Sequence, residues 1–401
     1  MLSFDDALSR LLDSAQVVTE VRSLPTLAAA GRVLAVAQQA TVDSPPLDNS
    51  AMDGYALAVA DVPQPGCRLR VTQRIPAGSV GTRLQPGTAA RIFTGAPIPE
   101  GADAVVMQEL CEHVADSVLI NHRPQFAEHI RRAGSDIAAG SEILPAGQRL
   151  RPQDTALAAS VGLAELPVFR RLRVALLFTG DELRMPGEPL SPGAIYNANR
   201  FLLVALLERL GCVVDDLGQI PDDLAATRQA LRQAAAGNDL VLSSGGVSVG
   251  EEDHVKAAVE AEGRLDIWRI AIKPGKPLAF GQLAAGERTL PFIGLPGNPV
   301  SCFVTFLLLV RPFLLKTQGV RPWAQPSYRL RADFDWLRPD ARREFLRARS
   351  HSDGSVELYP NQGSGVLTSA VWGDGLIDNP PQQVIRRGDP VRFLPFSALL
   401  G

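Results

Sequence analysis

The segment whose residues most clearly suggest chemistry is 239–256, DLVLSSGGVSVGEEDHVK. Three apolar residues predict a buried strand, which breaks at two serines into Gly245 and Gly246. Small residues after a strand let the backbone approach a ligand, and successive N–H groups can then bind an anion. The glycines alone favour a turn that only needs tight geometry. Gly250 and the acidic run 251–253 favour a ligand-binding loop instead, because a carboxylate beside a phosphate site usually implies a bridging metal ion.

Further polar residues are expected at the same edge of the sheet. They are 179–182 (TGDE), Asp222 with Asp223, Lys273 and Lys276 in the turn KPGK, and 294–298 (GLPGN). Two neighbouring ammonium groups repel each other unless an anion is present, and an oxyanion with a hard divalent cation would satisfy lysines and carboxylates together. Helix caps and surface turns explain each site singly but not their recurrence. One of the two aspartates is expected to cap the next helix, and the sequence does not decide which.

A turn-rich loop at 41–57 presents Asp48, Ser50 and Asp53 together. Its composition fits a linker between domains and a functional loop equally well. Thr94 and Gly95 end a predicted strand, where a hydroxyl and a backbone N–H could meet a ligand. The four cysteines are far apart, with no C-x-x-C and no metal-ligand spacing. His254 is expected to be a helix-start residue rather than a ligand.

Composition indicates a soluble globular protein of two to four domains. The 401 residues are 46% hydrophobic and 21% charged. A formal net charge of −3 gives no global basic field to attract nucleic acid. The N-terminus resembles neither a signal nor a transit peptide, and the apolar run 302–310 is too short to span a bilayer. We therefore expect a cytoplasmic protein that binds no nucleic acid and no membrane.

The elements that would position these residues form a multi-domain α/β plus β protein. From Arg173 onward strands and helices alternate, which predicts a central, doubly wound α/β domain. Short alternating segments over 68–118 predict a β-rich module. After 321 the spacing of apolar residues shortens again, which predicts a C-terminal β domain. Helices are predicted near the start of the chain and over 27–36. The expected boundaries are 1–45 with 138–170 for an N-terminal linker and helical domain, 46–137 for an inserted β-rich domain, 171–320 for the α/β domain, and 321–401 for the C-terminal β domain.

Eight motifs, in this order, make the chain resemble the molybdopterin molybdenumtransferases, the family of MoeA and the gephyrin E domain. They are PPLDNSAMDGYA (45–56), RIFTGAPIPEGADAVVMQE (91–109), FTGDEL (178–183), GAIYNANR (193–200), SSGGVSVGEEDHVK (243–256), AIKPGKPLAFG (271–281), LPGNPVS (295–301) and QGSGVLTSAVWGDGL (362–376). The set spans nearly the whole chain, which makes it far more specific than any single glycine loop. One departure is Ser135 in AGSDI, where the family more commonly has an acidic residue.

The resemblance implies an elongated subunit of four parts whose α/β domain is of the molybdopterin-binding type. It also implies a homodimer whose site lies between the α/β domain of one subunit and the first domains of the other. The implied reaction converts adenylylated molybdopterin and molybdate into molybdenum cofactor and AMP, assisted by Mg²⁺. Contacts with the preceding adenylyltransferase and with apo-molybdoenzymes are implied as well. Because the dithiolene sulfurs that receive the metal belong to the substrate, no reactive cysteine is needed.

The resemblance also assigns roles to individual residues. Implied catalytic residues are Asp53, Thr94, Glu182, Asp253, Lys273 and Lys276, with Asp53 and Thr94 supplied across the dimer. Implied substrate-binding residues are Ser50, Gly245, Gly246, Ser248, Gly250, Pro296, Gly297, Asn298 and Pro299. Implied metal ligands are Glu182, Asp222 and Asp253. Two alternatives stay open: the adenylyltransferase that makes the intermediate from ATP, and a non-catalytic scaffold of the same family.

Overall fold

The N-terminal part of the chain consists of short strands and two α-helices. The computed structural model describes residues 1–246, 254–275, 277–321 and 326–400. The first elements are α1 Phe4–Ser14, β1 Val21–Pro25, β2 Gln38–Gln39, β3 Asn49–Ser50, β4 Gly54–Leu57, β5 Cys67–Ile75, β6 Thr88–Ile92, β7 Ala104–Met107, β8 Cys111–Val114, β9 Ser117–Ile120, β10 Ile130–Arg131, β11 Glu142–Leu144, α2 Pro152–Ser160 and β12 Glu165–Phe169. Single 3₁₀ turns occupy Thr26–Ala28, Val59–Asp61 and Gln108–Leu110.

The predicted β-rich module is a six-stranded mixed sheet in the order β7-β4-β6-β5-β9-β8. Burial alternates with exposure along β5, as expected for a sheet that covers a core with one face. The helix predicted over 27–36 is wrong. Beyond the 3₁₀ turn the chain forms a turn at Gly31, whose φ is +78°, and an isolated bridge in which Leu34 pairs with Val168. Leu27, the first residue of that predicted helix, is 99% exposed.

The central part alternates strands and helices as predicted. Its elements are β13 Arg173–Thr179, β14 Leu183–Arg184, β15 Ile195–Tyr196, α3 Ala198–Arg209, β16 Val213–Ile220, α4 Leu224–Ala235, β17 Leu240–Ser244, α5 His254–Glu262, β18 Gly263–Arg269, β19 Ile272–Lys273, β20 Pro277–Ala285, β21 Arg288–Leu295, α6 Pro299–Thr305 and α7 Arg311–Thr317, with a π-helical turn at Phe306–Val310 between the last two. The sheet order is β16-β13-β17-β21-β20-β18. The first four strands are parallel and the last two join antiparallel.

Helices cover both faces of this sheet, which confirms the doubly wound fold. Along β13, Ala175 and Leu177 pack on the face covered by α4 and α5. The alternate residues of the strand, including Leu176 and Phe178, pack on the face covered by α1, α3 and α6. Strands buried on both faces read as continuous apolar runs, which is the pattern RVALLFT shows.

The helical segment Pro299–Thr317 is longer than the apolar run considered in the sequence. By length and composition alone it could cross a membrane, but 89% of its most apolar window is buried inside the protein. It fills the core between the central sheet and the rest of the chain. Burial of this extent is the pattern of a core helix.

The predicted C-terminal β domain is a closed barrel. Its elements are β22 Tyr328–Ala332, β23 Arg343–Ser350, β24 Ser355–Leu358, α8 Leu367–Trp372, β25 Gly375–Asn379, β26 Pro390–Pro395 and α9 Phe396–Leu400. The order β23-β24-β22-β26-β25 closes because β25 also pairs with β23. Strand β19, which starts the KPGK turn, pairs with β23 from outside the ring. The turn is therefore attached to the barrel as well as to the α/β domain.

Candidate functional site

The carboxyl ends of three parallel strands meet at one edge of the central sheet. Phe178 of β13 pairs with Ser244 of β17, and Ser244 pairs with Leu295 of β21. The turns at 179–182, 245–246 and 296–299 therefore begin side by side. Ligands of open α/β sheets bind at this edge.

Gly245 and Gly246 occupy positions where a Cβ would not fit. Their φ angles are +93° and +66°, in the left-handed region that favours glycine. A Cβ on Gly245 would lie 2.6 Å from the carbonyl oxygen of Thr179, and one on Gly246 would lie 2.7 Å from Thr179 Oγ1. The N–H of Gly245 donates to the carbonyl of Leu295 at 3.3 Å. Tight geometry alone requires both glycines, so their contact with a phosphate stays a prediction.

Asn199 joins two of these turns and was not identified from the sequence. Its Nδ2 donates to Ser244 Oγ and to the carbonyl oxygen of Gly297, both at 2.8 Å. The signal was the spacing of two asparagines at the start of α3. Asn197 caps the helix by accepting from the N–H of Arg200, so Asn199, two residues further along, has no capping role of its own.

Several buried polar atoms at this edge have no hydrogen-bond partner among the described residues. They are Thr179 Oγ1, Ser243 Oγ, Asn199 Oδ1 and Thr305 Oγ1. Buried polar groups in folded proteins are nearly always hydrogen-bonded, so a cluster of such atoms indicates a place for a polar ligand or water. Thr305 lies beside the KPGK turn, since a Cβ on Gly275 would come within 3.2 Å of its hydroxyl.

An acidic cluster lies next to this edge and consists of Asp181, Glu182 and Asp222. The N–H of Asp222 is 3.4 Å from Asp181 Oδ1. The Glu182 carboxylate folds back over Gly180, where a Cβ would lie 2.5 Å from Oε2. Asp223 is the residue that caps α4, because its carboxylate accepts from the N–H of Ala226 at 2.8 Å. That resolves the choice between the two aspartates, since Asp222 is left facing the cluster.

The acidic cluster is electrostatically suited to a cation. The pKa of Asp222 is raised by partial burial and by the charges of Asp181 and Glu182. Of these two causes, the repulsion between the carboxylates is the one that a bound cation would relieve. Carboxylate oxygens are the ligand type that a hard divalent ion such as Mg²⁺ prefers, so the cluster could supply part of such a site. Within the described ranges no group of three such side chains is arranged to hold a metal ion by itself.

Asp53 and Thr94, 41 residues apart, form a second constellation. Asp53 Oδ1 accepts from both the N–H and the hydroxyl of Thr94, each at 2.8 Å. These two hydrogen bonds, the backbone one first, lower the pKa of Asp53, with a smaller contribution from Arg91. The carboxylate is therefore ionised at neutral pH. No hydrogen bond or ion pair joins this pair to the acidic cluster within the described part of one subunit.

The loop that carries Asp53 is held by residues around it. Ser50 is fully buried, and its hydroxyl donates to the carbonyl of Met52 at 2.5 Å. Its backbone pairs with Gly95 and Ala96 on the Thr94 turn. Ser50 thus fixes the loop in this structure, whereas a direct contact with substrate stays a prediction. Asp48 is paired with Arg132 at 2.5 Å.

Lys273 lies between the α/β domain and the barrel. Its Nζ is 3.3 Å from Glu344 Oε1 and 3.5 Å from Asp340 Oδ2. Glu344 is fully buried and also accepts from Trp336 Nε1 at 2.7 Å. The predicted oxyanion-binding lysine thus has carboxylate partners about 70 positions away in the chain, which no local motif could reveal. The side chain is 38% exposed, so an anion can still reach it.

The remaining predicted residues fall into two groups. Pro296 is buried at the sheet edge, while Gly297 and Asn298 are exposed and Pro299 is half-buried. Asn298 is the N-cap of α6 by position, although its side chain makes no capping hydrogen bond. Ser248, Gly250, Asp253 and Lys276 lie outside the described residues.

Three of the four cysteines are poorly suited to nucleophilic chemistry. All four are free thiols. Burial raises the pKa of Cys302 and of Cys212 to about 12, and that of Cys111 to about 11. The thiolate is the reactive form, so these groups are inert at neutral pH.

Three family descriptions match successive parts of the chain. Residues 2–162 match the MoeA N-terminal region (domain I and II), residues 175–316 a probable molybdopterin binding domain, and residues 329–396 the MoeA C-terminal region (domain IV). The order follows the N-terminal part, the central sheet and the barrel described above.

Curated relatives and a solved structure agree with these matches. The chain is similar to a molybdopterin molybdenumtransferase of Haemophilus influenzae, with 40% identity covering 100% of both chains. It is 38% identical to molybdopterin molybdenumtransferase 2 of Mycobacterium tuberculosis, over 90% of this chain and 91% of that one. The crystal structure of the molybdopterin biosynthesis moeA protein of Pyrococcus horikoshii superposes with a TM-score of 0.86 at 29% identity, covering 98% of this chain and 100% of that one. The chain therefore belongs to the molybdopterin molybdenumtransferase family and is a transferase of molybdenum cofactor biosynthesis.

Proposed function

We propose that this protein inserts molybdenum into adenylylated molybdopterin, using molybdate and releasing AMP to give molybdenum cofactor. The observation that carries the proposal is the sheet edge itself. Glycine turns, an acidic cluster and unpartnered buried hydroxyls converge there. Such a site can hold a phosphoanhydride, a divalent cation and a small oxyanion side by side. The raised pKa values of Cys111, Cys212 and Cys302 fit a reaction in which the sulfur ligands belong to the substrate.

Each group of residues has a proposed part in this reaction. The turn at 245–246 would hold the phosphate, bordered by 296–299 and held in shape by Asn199. Glu182 and Asp222, joined by Asp253 on sequence grounds, would hold Mg²⁺, which would neutralise charge developing on the phosphate oxygens. Lys273, with Lys276, would bind molybdate or phosphate. Asp53, kept ionised by Thr94, would place a fixed negative charge at the reacting groups.

We also propose that the two constellations meet across a homodimer. Asp53 and Thr94 lie on the inserted β module, whereas the acidic cluster lies on the α/β domain. Within one subunit no hydrogen bond or ion pair among the described residues links them. A second copy would bring the Asp53 loop to the sheet edge and complete the site. Contacts with the adenylyltransferase that supplies the substrate and with apo-molybdoenzymes would follow from this place in the pathway.

The competing functions are distinguished by sequence and architecture. The adenylyltransferase reaction needs ATP and free molybdopterin. That alternative leaves unexplained the β module and the barrel that the chain carries besides the α/β domain. Residues 246–250, GVSVG, also have the G-x-S-x-G spacing of serine hydrolases. The family matches over the whole chain outweigh that short spacing. A non-catalytic scaffold would not need the Asp53–Thr94 pair and the acidic cluster together.

The test is AMP release from adenylylated molybdopterin under anaerobic conditions, with and without molybdate and Mg²⁺. We expect AMP only when both are present, with molybdenum retained by the pterin. ATP consumption with free molybdopterin would instead identify the adenylyltransferase. A folded protein that turns over neither substrate would identify the scaffold.

A further inference from the structure

A second cavity lies at the opposite edge of the central sheet. It encloses about 470 Å³ and is lined by six arginines, Arg22, Arg32, Arg170, Arg171, Arg173 and Arg288, which we call the arginine pocket. Glu20 and Asp239 also line it. Strand β13 starts at Arg173 here and ends at Thr179 in the candidate site, six residue steps or roughly 20 Å away. The two sites are therefore separate.

The two carboxylates are already engaged by two of the arginines. Arg170 binds both oxygens of Asp239, at 2.6 and 2.7 Å, and pairs with Glu20 at 2.9 Å. Arg22 pairs with Glu20 at 2.9 Å. Six guanidinium groups against two carboxylates leave an excess of four positive charges in the pocket.

Two further arginines have a structural role at the end of α4. Arg173 Nε donates to the carbonyl oxygen of Gly237 at 2.9 Å. Arg288 Nη2 donates to the carbonyl of Asn238 at 3.1 Å. Carbonyl groups at the C-terminus of a helix favour cations, which accounts for both side chains.

Arg32 and Arg171 have no such explanation. Among the described residues, the Arg32 guanidinium donates only to the carbonyl of Phe169, at 2.7 Å, and Arg171 has no carboxylate partner. Burial lowers the pKa of Arg32, and the charges of Arg171 and Arg22 lower it further. Like charges held together in this way favour a bound anion, and guanidinium groups match the geometry of phosphate.

A buried amide provides an independent observation. Asn238 lines the pocket and is 1% exposed. Its Nδ2 donates to Asp215 Oδ2 at 2.8 Å and to the carbonyl of Ala234 at 3.0 Å, which fixes the orientation of the amide. Its Oδ1 has no partner among the described residues. The pocket thus has an unpartnered acceptor in its wall besides its excess of donors. A ligand with both an anionic group and a hydroxyl or amino group that reaches this oxygen would satisfy it.

We propose that the arginine pocket binds a phosphorylated small molecule that also carries a hydroxyl or amino donor. The cavity has the size of ordinary small-molecule sites. Arg171 and Arg32 would bind the phosphate, and Asn238 would accept from the donor group. This inference does not depend on the proposed reaction at the other edge of the sheet.

The test is calorimetric titration of the full chain in low salt without Mg²⁺, using ribose 5-phosphate and inorganic phosphate as probes. We expect one ribose 5-phosphate site per chain. Its affinity should fall by roughly tenfold or more in Arg171→Ala and in Arg32→Gln, because each removes a charge-assisted hydrogen bond. The affinity of Arg171→Lys for ribose 5-phosphate should lie between that of Arg171→Ala and that of the unchanged protein. Since Arg171 is exposed, its replacement should leave the fold intact.

Two controls separate this pocket from other sites. Arg10→Ala removes an exposed arginine from α1 and should leave binding unchanged. Asp53→Asn alters the proposed active site and should also leave it unchanged. The proposal is overturned if neither probe binds, or if Arg171→Ala and Arg32→Gln bind as tightly as the unchanged protein. Equal affinity for inorganic phosphate would contradict a ligand that uses Asn238.

Discussion

At the residue scale, Asp222 carries a charge that folding does not stabilise. Its pKa is raised in the folded protein, whereas an unfolded aspartate titrates near pH 3.9. Below that value the carboxyl is protonated in both states and has no effect on stability. As the pH rises through the window between the unfolded and the raised folded pKa, the folded state loses stability. The ionised side chain therefore lowers the stability of the folded state, and perturbed pKa values of this kind are typical of functional sites.

We therefore predict that Asp222→Asn is more stable than the unchanged protein at pH 7.5. The gain should be below about 1 kcal/mol, because solvent screens an exposed charge. It should disappear below about pH 3, where the carboxyl is protonated in both the folded and the unfolded chain. Thermal melts at the two pH values measure this difference.

Asp223→Ala is the matched control for Asp222→Asn. It removes the cap of α4 and should lose about 1 kcal/mol of stability at pH 7.5. Added Mg²⁺ should raise the melting temperature of the unchanged protein and of Asp223→Ala but not of Asp222→Asn. An equal Mg²⁺ effect in all three proteins would remove Asp222 from the metal site.

At the scale of elements, Asn199 connects the end of β17 to the turn that starts α6. Asn199→Ala would leave the Gly297 carbonyl and the buried Ser244 hydroxyl with fewer partners. We expect a loss of about 1–3 kcal/mol in the free energy of unfolding and a raised KM, because the turn at 296–299 would no longer be held. Chemical denaturation and steady-state kinetics measure both quantities.

Asn197→Ala is the control for that prediction, since Asn197 caps the same helix, α3, through the N–H of Arg200 rather than through the turn at 296–299. It should lose about 1 kcal/mol from the missing cap while KM stays unchanged. A KM change of the same size in both variants would mean that helix stability, rather than the bridge made by Asn199, shapes the site.

At the same scale, the sequence predicted most elements and missed specific contacts. The spacing of apolar residues and the placement of glycines predicted β13, β17 and the helices between them, because a buried parallel strand has a continuous apolar sequence. The helix predicted over 27–36 failed because apolar spacing does not register a left-handed glycine at Gly31 or a bridge to Val168. Asn199 and the partners of Lys273 were missed because their contacts depend on tertiary proximity. The four domain boundaries stay a prediction.

At the scale of the whole molecule, Lys273 ties the candidate site to the barrel. Lys273→Met would leave the buried Glu344 carboxylate without its cation, and we expect a loss of about 1–3 kcal/mol in stability. The double variant Lys273→Met/Glu344→Gln should recover most of that stability, because the buried charge is gone as well. Denaturation of the single and double variants tests this coupling.

Comparison of the single and double variants also separates the structural role of Lys273 from its proposed catalytic role. If Lys273 binds an oxyanion, the double variant should be stable and still fail to respond to molybdate. Recovery of full molybdate-dependent AMP release in the double variant would leave Lys273 with a structural role alone.

We propose above all that Asp53 of one subunit and the acidic cluster of the other form one site. One subunit carries Asp53→Asn and the other carries Asp222→Asn, each with its own tag, and each variant alone should form an inactive homodimer. As a control, Asp48→Asn, in the same loop as Asp53, should stay active. The purified mixed dimer should release AMP at about half the rate of the unchanged dimer, because it contains one intact composite site. An inactive mixed dimer, or a chain that is active as a monomer, would contradict the shared site.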